Sequence, residues 1–307
     1  MQELLKRIRA AERCVVVAHI HPDGDAVGSL VGLSLGLQQL GKQVTAVLAD
    51  GVPSSFTFLA AHIPVVTEMP PYDAAHPALC ISVDLADSGR TGFRDKVQEY
   101  AKAEMLGFID HHPLGDLEKK TSAYYHTIHT SSCAELVYHV LQALEVRLTP
   151  PLATALLTGM YTDTGGFQYE TTSTDTMEIS AELMRRGARL QTIVEHTNGQ
   201  KSIANLRLLG LAMERLSLTR NGNCAISFIT REDIEKEGAT ADDASGIINQ
   251  LNVLPGARLC MLLTEFEPGV IRGSLRSTDH PDKPALNVTP LAKLLGGGGH
   301  ALSLIHI

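Results

Sequence analysis

The stretch HIHPDGDAVGS, residues 19–29, places two histidines and two aspartates within seven residues. The apolar run CVVVA, residues 14–18, comes directly before it, and a helical pattern follows it. An apolar run, a few polar residues and a helical pattern together indicate a buried strand, a loop and a helix. We therefore expect His19, Asp23 and Asp25 to lie in a loop at the carboxyl end of a buried strand.

Further strand and helix patterns alternate along the first half of the chain. Residues 43–48, 78–84 and 104–110 are short apolar runs that are typical of strands. Residues 26–40 form a helical pattern, and Gly41 is suited to end that helix. Strands that alternate with helices predict an α/β domain with a parallel sheet and helices on both faces.

The second half of the chain shows a different pattern. Asn221 and Gly222 separate two strand-like runs, which is a strong hairpin signal. Residues 257–267 and 270–277 predict a second strand pair, so we expect a smaller α+β domain with a mainly antiparallel sheet. The predicted limits are a first domain over residues 1–187, a linker helix region over 188–203 and a second domain over 204–307.

The composition restricts the class of protein. The chain has 307 residues, 44% hydrophobic and 20% charged, as in ordinary globular proteins. Its five cysteines are scattered and form no CxxC pair, which argues against a disulfide framework. The amino terminus is a charged helical pattern without a signal-peptide segment, so we expect a cytoplasmic protein. No apolar run approaches the ~18 residues of a membrane span, so no membrane partner is expected.

The formal net charge of −8 restricts the possible partners. Proteins that bind long nucleic-acid duplexes present large basic surfaces, so a long duplex is not expected as a partner. A small anionic ligand remains compatible with this charge if a local site holds it.

Acidic residues also stand at the ends of later elements. Asp84 and Asp110 each end an apolar run, His111 and His112 follow Asp110 at once, and Asp163 follows a helical pattern. The carboxyl ends of parallel strands meet at one edge of a sheet, where α/β proteins bind ligands. A single aspartate at a strand end is most often a turn residue or a helix cap. The combination of all these residues in one α/β pattern indicates a shared site.

Such a site favours metal ions. Several carboxylates within a few ångströms cannot all stay ionised unless cations lie among them. Carboxylate and imidazole ligands suit manganese, iron or zinc. Four aspartates and two histidines could hold two divalent ions, and two ions ~3.5–4 Å apart can activate a water for in-line displacement at phosphorus. The sequence therefore predicts a two-metal site for phosphoryl chemistry.

These motifs resemble a known family. The stretches AHIHPDGDAVGS (18–29), VDLADSGRTG (83–92), IDHHP (109–113) and YTDTGGF (161–167) resemble, in order, the four motifs of the DHH phosphoesterase superfamily. In the second half, GSLRS (273–277) and LLGGGGHA (294–301) resemble its DHH-associated domain. Taken together, the chain is most similar to the subgroup of oligoribonucleases and phosphoadenosine phosphatases.

The resemblance implies a ligand set for two manganese ions. By motif position, one ion would be held by His19, Asp23 and Asp84, and the other by Asp25, Asp84, His111 and Asp163. Asp84 would bridge the two ions and be a catalytic residue. His112 would be the other catalytic residue, facing the scissile phosphate, and Asp110 would orient an imidazole from behind the ligands.

The resemblance also implies substrate contacts. Arg90 would contact phosphate in the first domain. In the second domain, the residues that would grip the other end of the substrate are Arg276, Ser277, Gly297, Gly298, Gly299 and His300. Glycines let backbone N–H groups approach phosphate closely, and an arginine fork matches phosphate oxygens. The substrate would enter between the domains, so that short nucleotides fit and long ones do not.

The implied function is hydrolysis of phosphate esters through attack of a metal-bound hydroxide on phosphorus. Candidate substrates are short RNA oligonucleotides, linear pApA from cyclic-di-AMP breakdown, and the 3′-phosphate of 3′-phosphoadenosine 5′-phosphate. One alternative is a manganese-dependent inorganic pyrophosphatase, which predicts a second-domain site dominated by lysine and arginine. Another is a nucleotide-binding sensor without turnover. A homodimer is possible for proteins of this type.

The last residues depart from the family pattern. After GGGGHA the family continues with small residues and a closing strand, whereas this chain reads LSLIHI over residues 302–307. The departure predicts a truncated or altered end of the second domain and affects the expected position of His300. The metal site lies in the first domain and should be less affected.

Overall fold

Two compact units make up the chain, residues 1–199 and 200–307. The computed structural model describes residues 1–197, 202–244, 246–252, 254, 257–277, 286–294 and 303–305. No helix in these ranges is long and apolar enough to cross a membrane.

A six-stranded parallel sheet forms the centre of the first unit. Its strands are β1 (Arg13–Val17), β2 (Gln43–Val47), β3 (Val65–Val66), β4 (Ala78–Val83), β5 (Leu106–Asp110) and β6 (Tyr124–His126). Their spatial order is β3-β2-β1-β4-β5-β6, so β2 and β3 lie on one side of β1 and β4 to β6 lie on the other. The direction in which successive strands are added therefore reverses between β1 and β4. This reversal is the switch point at which doubly wound sheets bind ligands. The expected α/β class with a parallel sheet is confirmed.

Helices cover both faces of this sheet. They are α1 (Gln2–Ala10), α2 (Gly24–Gln39), α3 (Thr57–Ala60), α4 (Arg94–Lys102), α5 (Cys133–Ala143), α6 (Pro150–Asp163), α7 (Thr174–Arg185) and α8 (Leu190–Thr197). Successive β1 residues point to opposite faces. Val16 joins a core that contains α2, α5 and α6, whereas Val15 and Val17 join a second core that contains Val97 and Tyr100 of α4.

Close packing of α2 against α6 brings two parts of the candidate site together. A Cβ at Gly28 of α2 would lie 2.4 Å from the carbonyl oxygen of Ala155, and a Cβ at Gly159 of α6 would lie 2.5 Å from Oδ1 of Asp25. Only glycine permits these approaches. Asp163 therefore reaches the carboxyl edge of the sheet from the end of α6.

The first turn of α5 carries one half of a capping box, between Ser132 and Glu135. The Ser132 hydroxyl accepts the backbone N–H of Glu135 at 3.2 Å. The Glu135 carboxylate accepts the hydroxyls of Ser131 at 2.6 Å and Thr176 at 2.9 Å. The Glu135 carboxylate does not complete the capping box because Thr176 of α7 packs beside the first turn of α5 and supplies a buried donor.

The second unit has a five-stranded sheet in the order β11-β10-β9-β8-β7. Its strands are β7 (Ser217–Leu218), β8 (Cys224–Ile229), β9 (Leu259–Glu267), β10 (Val270–Ser277) and β11 (Ser303–Ile305). Its helices are α9 (Ile203–Glu214), α10 (Arg231–Lys236), α11 (Ala241–Ala244), α12 (Ile247–Leu251) and α13 (Thr289–Leu294).

Three of the four pairings in this sheet are antiparallel, which confirms the expected α+β class. The β8–β9 pair is parallel. The hairpin at Asn221-Gly222 joins β7 to β8, and Gly222 has a φ of +68°. Within the tail LSLIHI, β11 pairs with β10 through Ser274 and Ile305. The boundary between the units falls within the predicted linker region 188–203, and α8 belongs to the first unit, where Ile193 joins the core.

Candidate metal centre

The loop after β1 carries the first site residues. Asp23 caps α2, where its Oδ1 accepts the backbone N–H groups of Asp25 at 3.1 Å and Ala26 at 3.0 Å. Nδ1 of His19 donates to the carbonyl oxygen of Ile20 at 2.8 Å. This bond fixes the tautomer, so that the lone pair of His19 lies on Nε2.

Asp84 lies between two histidines and is almost completely buried, with 1% of its surface exposed. Its Oδ2 is 3.3 Å from Nε2 of His19, and its Oδ1 is 3.6 Å from Nε2 of His111. Neither carboxylate oxygen has a hydrogen-bond partner in the described part of the chain. Buried carboxylate oxygens are ordinarily paired, so both oxygens of Asp84 are available to cations.

The backbone of Asp84 is held in an uncommon conformation. Its φ is +61°, a left-handed value that few residues other than glycine adopt. The Asp84 N–H donates to the carbonyl oxygen of Ile109 at 3.0 Å and to Sγ of Cys133 at 3.2 Å. Outliers of this kind persist only where the surroundings impose them, and they are concentrated at functional sites.

A second group gathers around Nε2 of His111. This atom is 3.4 Å from Oδ2 of Asp163 and 3.8 Å from Oδ2 of Asp25. It is buried and has no hydrogen-bond partner among the described residues. Ligand atoms of Asp25, His111 and Asp163 lie within 4.8 Å of one another, and the same holds for His19, Asp23 and Asp84. We call Asp25, His111 and Asp163 the His111 group, and we call His19, Asp23 and Asp84 the His19 group.

Helix α5 orients the Asp25 carboxylate from behind. The backbone N–H of Cys133 donates to Oδ2 at 2.6 Å, and that of Ala134 donates to Oδ1 at 2.9 Å. The Ser29 hydroxyl adds a bond to Oδ1 at 3.2 Å. The amino terminus of a helix carries partial positive charge, which favours a carboxylate at this position.

The electrostatics of the centre favour cations. Burial and nearby carboxylates raise the pKa of Asp25 to about 7 and that of Asp163 to about 8. The same causes raise the pKa of Asp84 well above its usual range. Burial lowers the pKa of His111 to about 4, so its imidazole is neutral at physiological pH. Divalent ions would stabilise the ionised carboxylates and use the neutral imidazole as a ligand.

Asp110 and His112 form a pair beside the two groups. Nδ1 of His112 donates to Oδ1 of Asp110 at 2.9 Å, and the same oxygen accepts the backbone N–H of His111 at 2.8 Å. Burial acts to raise the pKa of Asp110, but the bonds and charge of His112 outweigh it and the pKa lies below its usual value. Asp110 thus fixes the ring of His112, which the sequence predicts to face substrate.

Arg90 lies in a short 3-10 helix, Ser88–Thr91, that is tied down on two sides. Its carbonyl oxygen accepts the backbone N–H of Ile20 at 2.7 Å. Asp116 accepts the Ser88 hydroxyl at 2.6 Å and the Lys120 ammonium at 2.7 Å. The Arg90 side chain is exposed. Sequence reasoning missed this network, and its only signal was the i, i+4 spacing of Asp116 and Lys120.

The second-unit residues expected to bind substrate have internal partners. Nε of Arg276 donates to Oδ1 of Asn249 at 2.9 Å. The Ser277 hydroxyl donates to the carbonyl oxygen of Arg258 at 2.8 Å and accepts the N–H of Leu286 at 2.7 Å. Ser277 is therefore a structural bridge in this unit. Residues 297–300, which complete the expected set, lie outside the described residues.

Cys133 is the residue that sequence reasoning missed most clearly. Besides the Asp84 contact, its thiol donates to the carbonyl oxygen of Ile109 at 3.2 Å. Burial and the nearby carboxylates of Asp25 and Asp84 raise the pKa of the thiol well above its usual range. It therefore stays protonated and joins two strand ends. Nothing in the spacing of the five cysteines indicates this role.

Comparison with known proteins agrees with this architecture. Residues 13–160 match the family model described as the DHH family, N-terminal domain. The first unit contains a DHH-family N-terminal domain. The chain is 29% identical, over 98% of its length and 91% of the relative, to the bifunctional oligoribonuclease and PAP phosphatase NrnA of Bacillus subtilis. It is 24% identical, over 87% of its length and 79% of the relative, to a probable manganese-dependent inorganic pyrophosphatase of Streptococcus thermophilus.

A solved structure supports the fold of this chain. The crystal structure of an exopolyphosphatase-related protein from Bacteroides fragilis superposes with a TM-score of 0.86. The alignment covers 100% of this chain and 91% of that protein at 24% identity. At this level of identity the likeness establishes the fold, and the chemistry has to be argued from the residues of this chain.

Proposed function

We propose that this chain is a two-metal phosphoesterase that hydrolyses short RNA oligonucleotides such as pApA to mononucleotides, removes the 3′-phosphate of 3′-phosphoadenosine 5′-phosphate, or both. The observation that carries the proposal is the position of Asp84. One buried carboxylate directs Oδ2 toward His19 and Oδ1 toward His111 without a hydrogen bond to either oxygen. The similarity to the Bacillus subtilis relative supports the choice of substrates.

The donor set fits two divalent cations, and we propose manganese. His19, Asp23 and Asp84 would hold one ion, and Asp25, Asp84, His111 and Asp163 the other. Four carboxylates supply a charge of about −4, which two such ions would offset. Oxygen and imidazole donors suit manganese, and they do not exclude iron or zinc. When bound, the ions would activate a water and stabilise the charge of an in-line displacement.

The remaining residues of the centre have roles that follow from their contacts. Asp110 holds Nδ1 of His112, so Nε2 is the ring atom that we propose contacts the scissile phosphate and stabilises its developing charge. Arg90, in its restrained 3-10 helix, is a proposed second phosphate contact. Arg276 and the residues 297–300 stay proposed contacts for the rest of the substrate, and Ser277 would support them through the backbone.

The direct test is AMP release from 5′-pApA by the purified protein, with manganese and again with excess EDTA. We expect AMP to form only with manganese, and we expect Asp84→Asn to abolish it. Asp73→Asn is the matched control, because Asp73 is exposed and pairs with His76 at 3.0 Å away from the centre. Near-normal activity of Asp84→Asn with saturating manganese would refute the bridging role.

The same assay separates the alternatives. Inorganic pyrophosphate hydrolysed much faster than pApA would establish a pyrophosphatase, the activity named for the Streptococcus thermophilus relative. Binding of pApA without any product would establish a sensor. A homodimer stays a prediction, which light scattering of the eluting protein measures directly.

A further inference from the structure

Tyr169 is an exposed aromatic side chain close in sequence to the metal centre. It is 52% exposed, and it is the one tyrosine or phenylalanine within residues 1–197 whose surface is largely open to solvent. A tyrosine ring offers a large, rigid contact surface, so an exposed ring close in sequence to a polar site is a candidate ligand contact.

One face of the Tyr169 ring is covered by backbone. A Cβ at Gly165 would lie 2.5 Å from Cε1 and Cζ of the ring and 2.9 Å from Cε2. The ring therefore lies flat against the backbone of Gly165, and the exposed area belongs largely to the opposite face. Among the described residues, no cation or second ring lies against that face.

The segment that carries the ring is fixed to the end of α6. Gly165, Gly166 and Phe167 all have left-handed φ values, +59°, +73° and +67°. The Phe167 N–H donates to the Thr164 hydroxyl at 3.0 Å, and the Tyr169 N–H donates to the Thr164 carbonyl oxygen at 3.0 Å. Phe167 also packs edge-to-face on Tyr161, with ring centroids 5.7 Å apart.

These bonds connect the backbone of Tyr169 to Thr164, the residue after the proposed ligand Asp163 at the end of α6. Thr164 directly follows Asp163, whose Oδ2 lies 3.4 Å from Nε2 of His111. The Thr164 hydroxyl in turn donates to the carbonyl oxygen of Met160 at 2.6 Å, which continues the helical bonding of α6. Hydrogen bonds through Thr164 thus connect the segment that carries Tyr169 to the end of α6.

A rigid ring with one open face is the feature that single-stranded nucleic-acid sites use to stack bases. We propose that the open face of Tyr169 stacks a nucleobase of the substrate whose phosphate lies at the metal centre. This inference rests on the proposed function and deepens it, because it selects nucleotides over inorganic pyrophosphate. Stacking tolerates any base, since every base has a π-face, so the platform recognises the substrate class and not its sequence.

The test uses a 5′-phosphorylated dinucleotide that carries 2-aminopurine, whose fluorescence falls when the base stacks. Wild-type protein, Tyr169→Ala and Tyr169→Phe are titrated with it, and release of mononucleotide is measured on the same samples. We expect Tyr169→Ala to lose the quenching and to raise KM about five- to a hundredfold. Tyr169→Phe keeps the ring and should behave as wild type.

A dinucleotide with abasic sugars is the control substrate. Wild type and Tyr169→Ala should have equal KM for it, because no base is present to stack. The inference is overturned if Tyr169→Ala quenches the 2-aminopurine fluorescence as strongly as wild type does. It is also overturned if the substitution raises KM by the same factor on the abasic substrate. If quenching depends on Tyr169 but no mononucleotide is released, the proposed hydrolysis is overturned and the stacking stands. If mononucleotide is released but quenching does not depend on Tyr169, the stacking is overturned and the hydrolysis stands.

Discussion

The backbone N–H of Asp84 donates to the thiol of Cys133, with 3.2 Å between nitrogen and sulfur. The same cysteine donates its own backbone N–H to Oδ2 of Asp25 at 2.6 Å. One residue at the amino terminus of α5 therefore restrains a residue of the His19 group and a residue of the His111 group. The restraint on Asp84 matters most, because its left-handed backbone is a conformation of higher energy.

We expect Cys133→Ala to weaken manganese binding, because the Asp84 N–H loses an acceptor. The Ile109 carbonyl oxygen still accepts this N–H, so loss of the second bond should cost about 0.5–1.5 kcal/mol and lower the affinity by roughly two- to tenfold. Cys133→Ser keeps a donor and an acceptor and should retain most of the affinity. Manganese titration by electron paramagnetic resonance measures both.

Cys80→Ala is the control for the Cys133 variants. Cys80 is fully buried on β4, four residues before Asp84, and its side chain faces the core beneath α4. It should lower the free energy of unfolding through the cavity and leave manganese affinity unchanged. Equal manganese affinity in Cys133→Ala and Cys80→Ala would contradict a positioning role for Cys133.

Replacement of the bridging carboxylate should separate stability from metal binding. In the metal-free protein, burial and neighbouring carboxylates make the ionised form of Asp84 unfavourable. We expect Asp84→Asn to keep or raise the melting temperature in EDTA, because the amide is neutral. We also expect manganese to raise the melting temperature of wild type and to have little effect on this variant. A lower melting temperature in EDTA for Asp84→Asn would show that the carboxylate stabilises the empty centre.

Metal-free stability should fall as pH rises from about 4 to 8. Below about pH 4 the carboxyls of Asp25 and Asp163 are protonated in both folded and unfolded chains. Above it the unfolded chain releases these protons, whereas the folded chain retains them up to pKa values of about 7 and 8. Their contribution to stability is therefore lost as pH rises through those values.

Manganese should reverse this trend, because ions replace the protons. We expect the rise in melting temperature on adding manganese to be larger at pH 8.5 than at pH 6. Scanning calorimetry with and without manganese across this range gives the comparison. Asp163→Asn should flatten the pH dependence of the metal-free melting temperature near pH 8. If the melting temperature of this variant follows the same curve as wild type, other groups cause the pH dependence.

The contact between α2 and α6 can be tested with one methyl group. Gly28→Ala would force the helices apart, since its Cβ would lie 2.4 Å from the Ala155 carbonyl oxygen. Overpacking of this kind costs ~1–3 kcal/mol, and we expect weaker manganese binding because Asp163 would move away from Asp25. Gly210→Ala is the control, because among the described residues no atom outside the adjacent part of α9 lies within 4 Å of that Cβ. It should raise stability by about 0.5–1 kcal/mol and leave manganese binding unchanged.

Much of the fold could be predicted because the deciding signals are local. The apolar runs before His19, Asp84 and His111 predicted strands that the structure contains as β1, β4 and β5. Parallel alternation then predicted that their carboxyl ends share an edge, and the geometry brings the side chains together there. Their roles as ligands stay a prediction until metal is bound.

The rest depends on contacts between distant segments. The left-handed backbone of Asp84 reflects bonds to Ile109 and Cys133, which lie 25 and 49 residues away in sequence. Glu135 likewise accepts a hydrogen bond from a distant residue, Thr176 of α7, instead of completing its capping box. No window of sequence around either residue contains these partners.

The candidate metal centre draws its donors from four separated segments, which sets an order on its assembly during synthesis. Residues of the His19 group are available once the chain has been made as far as Asp84, whereas the His111 group also needs Asp163 at the end of α6. A ribosome-bound chain that ends before α6 can therefore present only part of the donor set. Full metal loading, and any hydrolysis that depends on it, would begin only after that helix has left the exit tunnel and docked on α2.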